Sequence, residues 1–304
     1  MRATGTAAAL LAALAAAAPA GAQDDSAVSR TALERRIAAQ PGATVGLYYR
    51  SLVAPDSMAI GADIRFHAAS TMKVAVMIQA FRDIDSARLR LDERLPVVNA
   101  FRSIADGSTY ELDRADDSDS SLYALVGRTA PVRQLVELMI TISSNLATNV
   151  LIERVGAARV QATLRELGTD SMVVLRGVED GAAYRAGLNN TTTARDLAIL
   201  LEAIADGRAA SAASCGRMLQ ILLHQRINDA IPRGLPRRTP VAHKTGGLTG
   251  QYHDAAIVYT RRRPQYVLVV LTRGIAQHEA ATQLIADLAG IIHRWHSVVF
   301  PPRD

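Results

Sequence analysis

The hydrophobic positions of this chain change their period twice. Near the start, Thr44-Val45-Gly46-Leu47-Tyr48-Tyr49-Arg50 is rich in β-branched and aromatic residues and predicts a strand. Met58-Ala59-Ile60-Gly61 with Ile64-Arg65-Phe66 predicts a second strand region, and the two together an opening hairpin. From Ser70 to about residue 225 the pattern becomes helical. Val74, Val76, Met77 and Ala80 form one apolar face, Pro131 opens a helix carrying Leu135, Leu138 and Met139, and a further helix is expected over Ala147 to Val155. Thr191-Thr192-Thr193 precedes an apolar-periodic run from Ala194, so a threonine should cap a helix that ends near Gly207. The middle of the chain therefore reads as mostly α.

Strands return after residue 240, at Ala255 to Tyr259 and Tyr266 to Leu271, with a turn expected at Arg261-Arg262-Arg263 before Pro264. A last helix is predicted from about Gln277 to Trp295. Strands at both ends around a helical middle predict an α/β (α+β) fold. One antiparallel sheet is assembled from both termini and packed with helices, and an inserted all-α lobe leaves a cleft between the two. The sheet lobe falls at about 23–66 and 226–304 and the helical lobe at about 67–225, within one domain spanning 23–304.

Composition narrows the class. With 304 residues, 49% hydrophobic and 21% charged, the chain buries a core, which excludes disorder, collagen and coiled coil. The single cysteine, Cys215, excludes an intramolecular disulfide and any cysteine-rich metal site, and is expected as a buried thiol. Residues 1–22 carry Arg2, about a dozen apolar residues and Ala20-Gly21-Ala22, the pattern of a cleaved secretory signal. The apolar stretch is shorter than the roughly 20 residues a membrane span needs. The mature chain is thus expected in the periplasm or secreted, with no stable membrane association. The net charge of +5 comes from 34 basic and 29 acidic residues dispersed along the chain, and aromatics make up 4%, so nucleic acid is not an expected partner.

Among the 34 basic residues only Lys73 and Lys244 are lysine. An ammonium can lose its proton at accessible pH whereas a guanidinium cannot, so the two point to lysine chemistry. Lys73 lies in Ser70-Thr71-Met72-Lys73 where a helix begins, which puts serine and lysine on one face near a helix N-terminus. A desolvated neutral lysine there can take the serine proton. By itself S-x-x-K arises about once per chain of this size by chance. Lys244-Thr245-Gly246-Gly247, expected just before a strand, is rarer, since a K-T-G triplet occurs by chance in fewer than about one chain in ten. Ser143-Ser144-Asn145, at the end of a helix, adds a hydroxyl and an amide; alone it reads as a turn or cap.

In this order and at these separations the three motifs resemble the active-site set of the serine β-lactamase and penicillin-binding protein superfamily, class A β-lactamases most closely. The likeness takes in Arg65 to Lys73, Met139 to Asn149, the Thr191-Thr193 helix start and Lys244 to Gly246, and so covers most of the mature chain. It implies Ser70 as nucleophile, Lys73 as its base and Ser143 as proton relay to the lactam nitrogen. It further implies Asn145 positioning Lys73 and the substrate amide, Lys244 and Thr245 holding the substrate carboxylate, and an oxyanion hole from the backbone N–H groups of Ser70 and Gly247.

Four departures stand out. Ser144 replaces the aspartate of the family's S-D-N triplet. The omega-loop motif E-x-x-L-N, whose glutamate activates the deacylating water, is absent. Leu175-Arg176-Gly177-Val178-Glu179-Asp180 stands there instead, making Glu179 the candidate base and Asp180 its rival. Asn190 occupies the place of an aspartate that bridges the loop arginine, so a looser loop neck is expected. No arginine follows K-T-G within the next strand, which leaves Arg273 to take the carboxylate. His67 and His243 flank motifs, but no H-x-H or H-E-x-x-H spacing occurs, so they are expected as packing residues and neither metal nor cofactor is implied.

The reading is an exported, monomeric serine β-lactamase acting on small β-lactams. Alternatives are a penicillin-binding D-Ala-D-Ala peptidase or esterase of the same fold with slow deacylation, a non-catalytic cell-wall binding module and, least supported, a polyanion binder.

Overall fold

The apolar run Tyr266 to Leu271 becomes the middle strand of the main sheet, covered on both faces. The computed structural model describes residues 20–260 and 263–301, with side chains from Ser29 onward. In chain order the first half holds α1 (Ala20–Ala38), β1 (Thr44–Ser51), β2 (Ser57–Ile60), β3 (Phe66–His67), α2 (Lys73–Asp85), β4 (Arg94–Pro96), β5 (Phe101–Arg102), β6 (Thr109–Tyr110), β7 (Thr129–Pro131), α3 (Val132–Thr141) and α4 (Asn145–Val155). There follow α5 (Ala157–Glu166), α6 (Gly181–Arg185), β8 (Thr191–Thr192), α7 (Ala194–Ala205), α8 (Ala212–Leu223), β9 (Val241–Leu248), β10 (Gln251–Thr260), β11 (Arg263–Arg273) and α9 (His278–Val299).

The sheet has the order β2-β1-β11-β10-β9 and is antiparallel throughout, built from both ends of the chain. Successive side chains of a strand point to opposite faces, so a strand covered on both sides needs apolar residues at every position. Tyr266, Leu268 and Val270 join Leu47, Tyr49 and Trp295 in a core beneath α1 and α9. Val267, Val269 and Leu271 face the larger core, which α2, α3, α4, α7 and α8 complete, with Cys215 buried in it. Ten of the 13 residues of α2 are buried, as expected of a helix apolar nearly all round. Lys73 is the first residue of that helix.

Several elements depart from the sequence expectation. The helix α1 carries no clear apolar stripe and was not expected. Beyond Ile60 the second strand region does not continue in the sheet. Gly61 takes a left-handed turn (φ 54°), and Phe66–His67 then pairs with Thr191–Thr192. Thus only Thr193 acts as the cap of α7, its Oγ1 accepting from Asp196 N at 3.1 Å. Between Ser86 and Pro131 the expected helical pattern gives short strands and a 3-10 turn (Leu122–Leu125) instead. Its Asp and Ser side chains capture their own backbone. Ser108 N donates to Asp106, Ala115 N to Asp113, Asp119 N to Asp117 and Ser121 N to Asp119, at 2.8–3.1 Å, and these local bonds compete with a helix. Lys244 lies within β9 and not ahead of a strand.

Other expectations match closely. Pro131 sits at the N-cap of α3, α4 starts two residues before Ala147, and α9 covers the last predicted helix. Residues 1–19 of the expected signal, and Arg261 and Arg262 of the expected turn, lie outside the described residues. Among the described residues no helix is long and apolar enough to cross a membrane. Thr193→Ala should cost about 1 kcal/mol through loss of the α7 cap. Urea unfolding checks this, the midpoint falling with an unchanged slope.

Candidate active site

Ser70 lies on a 3-10 turn, Ala69–Met72, that runs directly into α2, so Ser70 and Lys73 sit one turn apart. The turn is entered through Ala69 in a left-handed conformation (φ 45°), held by the Ala69 N–H donating to His67 Nδ1 at 3.0 Å. His67 is thus a bracing residue. His253 ties it to the sheet, Nε2 donating to His67 O at 2.9 Å while Nδ1 accepts from Thr272 N at 3.3 Å. Burial pulls the His253 pKa down to about 4, keeping the ring neutral and this pairing intact.

The Lys73 amino group is fully buried and reaches the joint between α3 and α4. It donates to Ser143 O at 2.5 Å, Asn145 Oδ1 at 2.8 Å and Ser143 Oγ at 3.3 Å. Ser143 has φ 63°, a second strained non-glycine residue at the site. Lys244, also fully buried, donates to the same hydroxyl at 3.0 Å and to Thr245 O at 2.8 Å. The Ser143 hydroxyl therefore accepts from both lysines, which frees its own proton to be donated elsewhere. Desolvation pulls Lys73 down to about 7, against the carboxylates of Asp117 and Glu179, which oppose the shift. Lys244 is pulled down by desolvation and then by Lys73.

Strand β9 comes close enough to share this site because residue 246 is glycine. A Cβ there would lie 3.0–3.2 Å from Thr71 Cγ2 and from the backbone nitrogens of Thr71 and Ser70. The close approach brings Gly247 to the wall of a cleft of about 470 Å³ that Ser70, Asn145, Val178 and Glu179 also line. That is an ordinary size for a small-molecule site.

Glu179, the third strained residue (φ 61°), reaches this cleft, and its carboxylate accepts from Asn145 Nδ2. Burial raises its pKa. Asp180 borders the same cleft but is committed elsewhere. It caps α6 by accepting from Ala183 N at 2.9 Å and accepts from Ser103 Oγ and Ile104 N at 2.8 and 3.0 Å. The segment is fastened from beneath by Asn149, whose Oδ1 accepts from Val178 N at 2.7 Å and whose Nδ2 donates to Val178 O at 3.1 Å. Gly177 permits this, since a Cβ there would lie 2.3 Å from Asn149 Oδ1.

The expectation of a loose loop neck is corrected. Asn190 Oδ1 accepts from Leu175 N and Arg176 N, and Asn190 Nδ2 donates to Arg176 O, all at 2.8–3.3 Å. The Arg176 guanidinium takes Leu188 O, Gly177 O and Asn189 Oδ1 at 2.9–3.1 Å. Neutral acceptors thus close the neck without a carboxylate. Arg273 is not brought to the cleft wall. It ends β11 with its guanidinium 5.3 Å above the Phe66 ring, and Nη1 is 3.5 Å from Arg65 O. His243 is fully buried between Asp254 Oδ1 (2.9 Å) and Asn228 Oδ1 (3.1 Å), a packing role as expected. Sequence reasoning missed Asp117, whose carboxylate accepts from the backbone of Asn145. No motif marks it, because it lies 28 residues from its partner in an irregular segment.

Comparison with known proteins agrees with this geometry. The β-lactamase enzyme family model matches residues 29–296. A β-lactamase of Streptomyces albus G is 28% identical over 85% of this chain and 83% of its own. The crystal structure of a β-lactamase from Sphaerobacter thermophilus superposes with a TM-score of 0.77 at 28% identity, covering 90% of this chain and 98% of that one. A mutant of PBP-A, solved as an acyl-enzyme complex with penicillin G, superposes with a TM-score of 0.73 at 28% identity, covering 88% and 96%. Fold and comparisons together define a serine hydrolase of the class A β-lactamase type. The chain belongs to the β-lactamase enzyme family.

The neck makes a prediction opposite to the family pattern. Asn190→Asp removes the donor to Arg176 O and should destabilise by about 1–3 kcal/mol. Asn189→Asp places a charge on the Arg176 guanidinium and should stabilise by up to about 1 kcal/mol. Calorimetric melting of both variants checks the opposite signs.

Proposed function

We propose that this protein is an exported β-lactamase that opens the lactam amide on Ser70 and releases the acyl group with Glu179. The observation that carries the reading is the Ser143 hydroxyl, which accepts from both buried lysines at 3.3 and 3.0 Å. Neutral Lys73 takes the Ser70 proton as Oγ attacks the lactam carbonyl. The oxyanion is held by the N–H groups of Ser70 and Gly247. The proton then passes from Lys73 through Ser143 to the departing ring nitrogen, while Lys244 and Thr245 hold the substrate carboxylate. An anion beside Lys244 offsets the cost of burying its ammonium group next to Lys73.

Deacylation is assigned to a different base, because Lys73, neutral again once its proton has passed to the ring nitrogen, stays hydrogen-bonded to Ser143 and Asn145. Glu179 shares the cleft with Ser70 and is oriented by Asn145, and its raised pKa brings its basicity toward the working pH. Arg273, stacked on Phe66, is assigned no substrate contact. Export rests on the signal-like residues 1–22, and a monomer is the expected state.

A second reading has its own support in the likeness to PBP-A, a mutant of which holds penicillin G as an acyl-enzyme. If Glu179 does not activate water, the same site is a slowly deacylating penicillin-binding peptidase. Intact mass recorded during turnover of a chromogenic cephalosporin separates the two. Wild type should turn over without a lasting adduct, Ser70→Ala should form none, and Glu179→Gln should accumulate it with release slowed about 10²–10⁴-fold. A long-lived adduct on wild type would favour the peptidase.

Lys73→Arg keeps the charge but cannot serve as a neutral base, and should slow adduct formation by about 10²–10⁴-fold. Stopped-flow acylation measures it, and an unchanged rate would remove Lys73 from the mechanism.

A further inference from the structure

By resemblance the family's S-D-N triplet carries an aspartate that this chain lacks. The Ser144 side chain, in its place, caps α4, its hydroxyl accepting from Ala147 N at 3.2 Å, while the Ser144 carbonyl accepts from Lys73 Nζ at 3.4 Å. A carboxylate nonetheless reaches the same helix start from another part of the chain. Asp117, between β6 and β7, accepts from Asn145 N at 2.9 and 3.0 Å and from Leu146 N at 2.9 Å. These are the first two amides of α4, where unpaired N–H groups and the helix dipole favour an anion. The carboxylate is held from its other side by Tyr123 Oη and Asp119 N, each donating at 3.1 Å.

Asn145 is therefore gripped at its backbone by Asp117, while its side chain accepts from Lys73 at 2.8 Å and donates to Glu179. One residue links the candidate base of acylation, the candidate base of deacylation and this carboxylate. We propose that Asp117 is the positioning carboxylate of the site, fixing Asn145 and through it Lys73 and Glu179, and presenting a negative charge to both from outside the triplet. The proposal deepens the reading of Lys73 and Glu179 as bases and rests on it.

The charged groups that face Lys73 are Asp117 from the β6–β7 segment, Glu179 from the loop before α6 and Lys244 from β9. Glu179 in turn faces Asp117, Lys73 and Asp116. Desolvation lowers Lys73, and Asp117 comes first among the charges that oppose it. Removing that charge moves the Lys73 titration down, and it moves Glu179 down as well, because Asp117 and Asp116 raise it. A purely structural brace would cost stability and leave both titrations in place.

The chain has only two lysines, so its ¹³Cε-lysine NMR spectrum holds two signals, and Lys73→Arg assigns them. The test is the Lys73 titration in the full chain and in Asp117→Asn. The expected result is a midpoint lower by at least about half a pH unit in the variant. An equal midpoint in a variant whose circular dichroism is native would overturn the proposal. Asp117→Ser, which keeps an acceptor for the helix start without the charge, provides the same comparison if the amide variant does not fold. The titration needs no substrate. Absence of both penicillin turnover by the wild-type chain and an adduct on Glu179→Gln would count against the acylation reading, and so against the catalytic meaning of Asp117, whereas an unmoved midpoint counts against Asp117 alone.

Discussion

The site depends on removing one amino group from water. Lys73 is the first residue of the most enclosed helix, and it is fully buried, so the charged form loses hydration that four neutral acceptors and two carboxylates only partly return. This brings an amine into the range where it exchanges protons near neutrality. The surrounding architecture serves that condition. The sheet built from both termini covers one side of α2's layer, α3 and α4 meet at its amino group, and Ser143 joins it to the second buried lysine.

Backbone strain collects at the same place. Five non-glycine residues in the described chain have left-handed φ, and three of them, Ala69, Ser143 and Glu179, lie at the approach to Ser70, at the hydroxyl that both lysines share and at the cleft carboxylate. Each is held by polar contacts nearby: Ala69 by His67, Ser143 by Lys73, and Glu179 by the Asn149 clamp on Val178. Such conformations cost about 1–3 kcal/mol each and persist where surrounding structure over-determines them. Glycine does the complementary task at 246 and 177, where backbone must pass within contact distance of other groups.

Much of this was legible in the chain. The period of the hydrophobic residues placed β1, β10, β11 and α3, α4, α7 and α9 to within a few residues, because each buries one regular face or two. The scarcity of lysine singled out Lys73 and Lys244 before any geometry, and the structure brings both to one hydroxyl. What the chain did not disclose depends on irregular backbone. The 86–131 region looks helical by apolar spacing yet is held open by Asp and Ser side chains bonding their own amides, and Asp117 belongs to that region. The neck of the loop was misjudged for a related reason. An Asn-for-Asp exchange loses a charge, but the amide donates as well as accepts, and Asn190 uses both functions on Arg176. Arg273 was offered for the substrate carboxylate because it ends the strand after the one that lacks an arginine, and a position at a strand end does not disclose that its guanidinium lies over the Phe66 ring.

The central claim is that a neutral Lys73 accepts the serine proton. Its most direct test is the pH dependence of single-turnover acylation by penicillin G, followed by quenched-flow mass spectrometry. The account predicts a rate that climbs about tenfold per pH unit on the acid side and levels off near the Lys73 midpoint of about 7. A rate that is flat from acid to neutral pH, or that keeps climbing toward the ordinary lysine range, would contradict it.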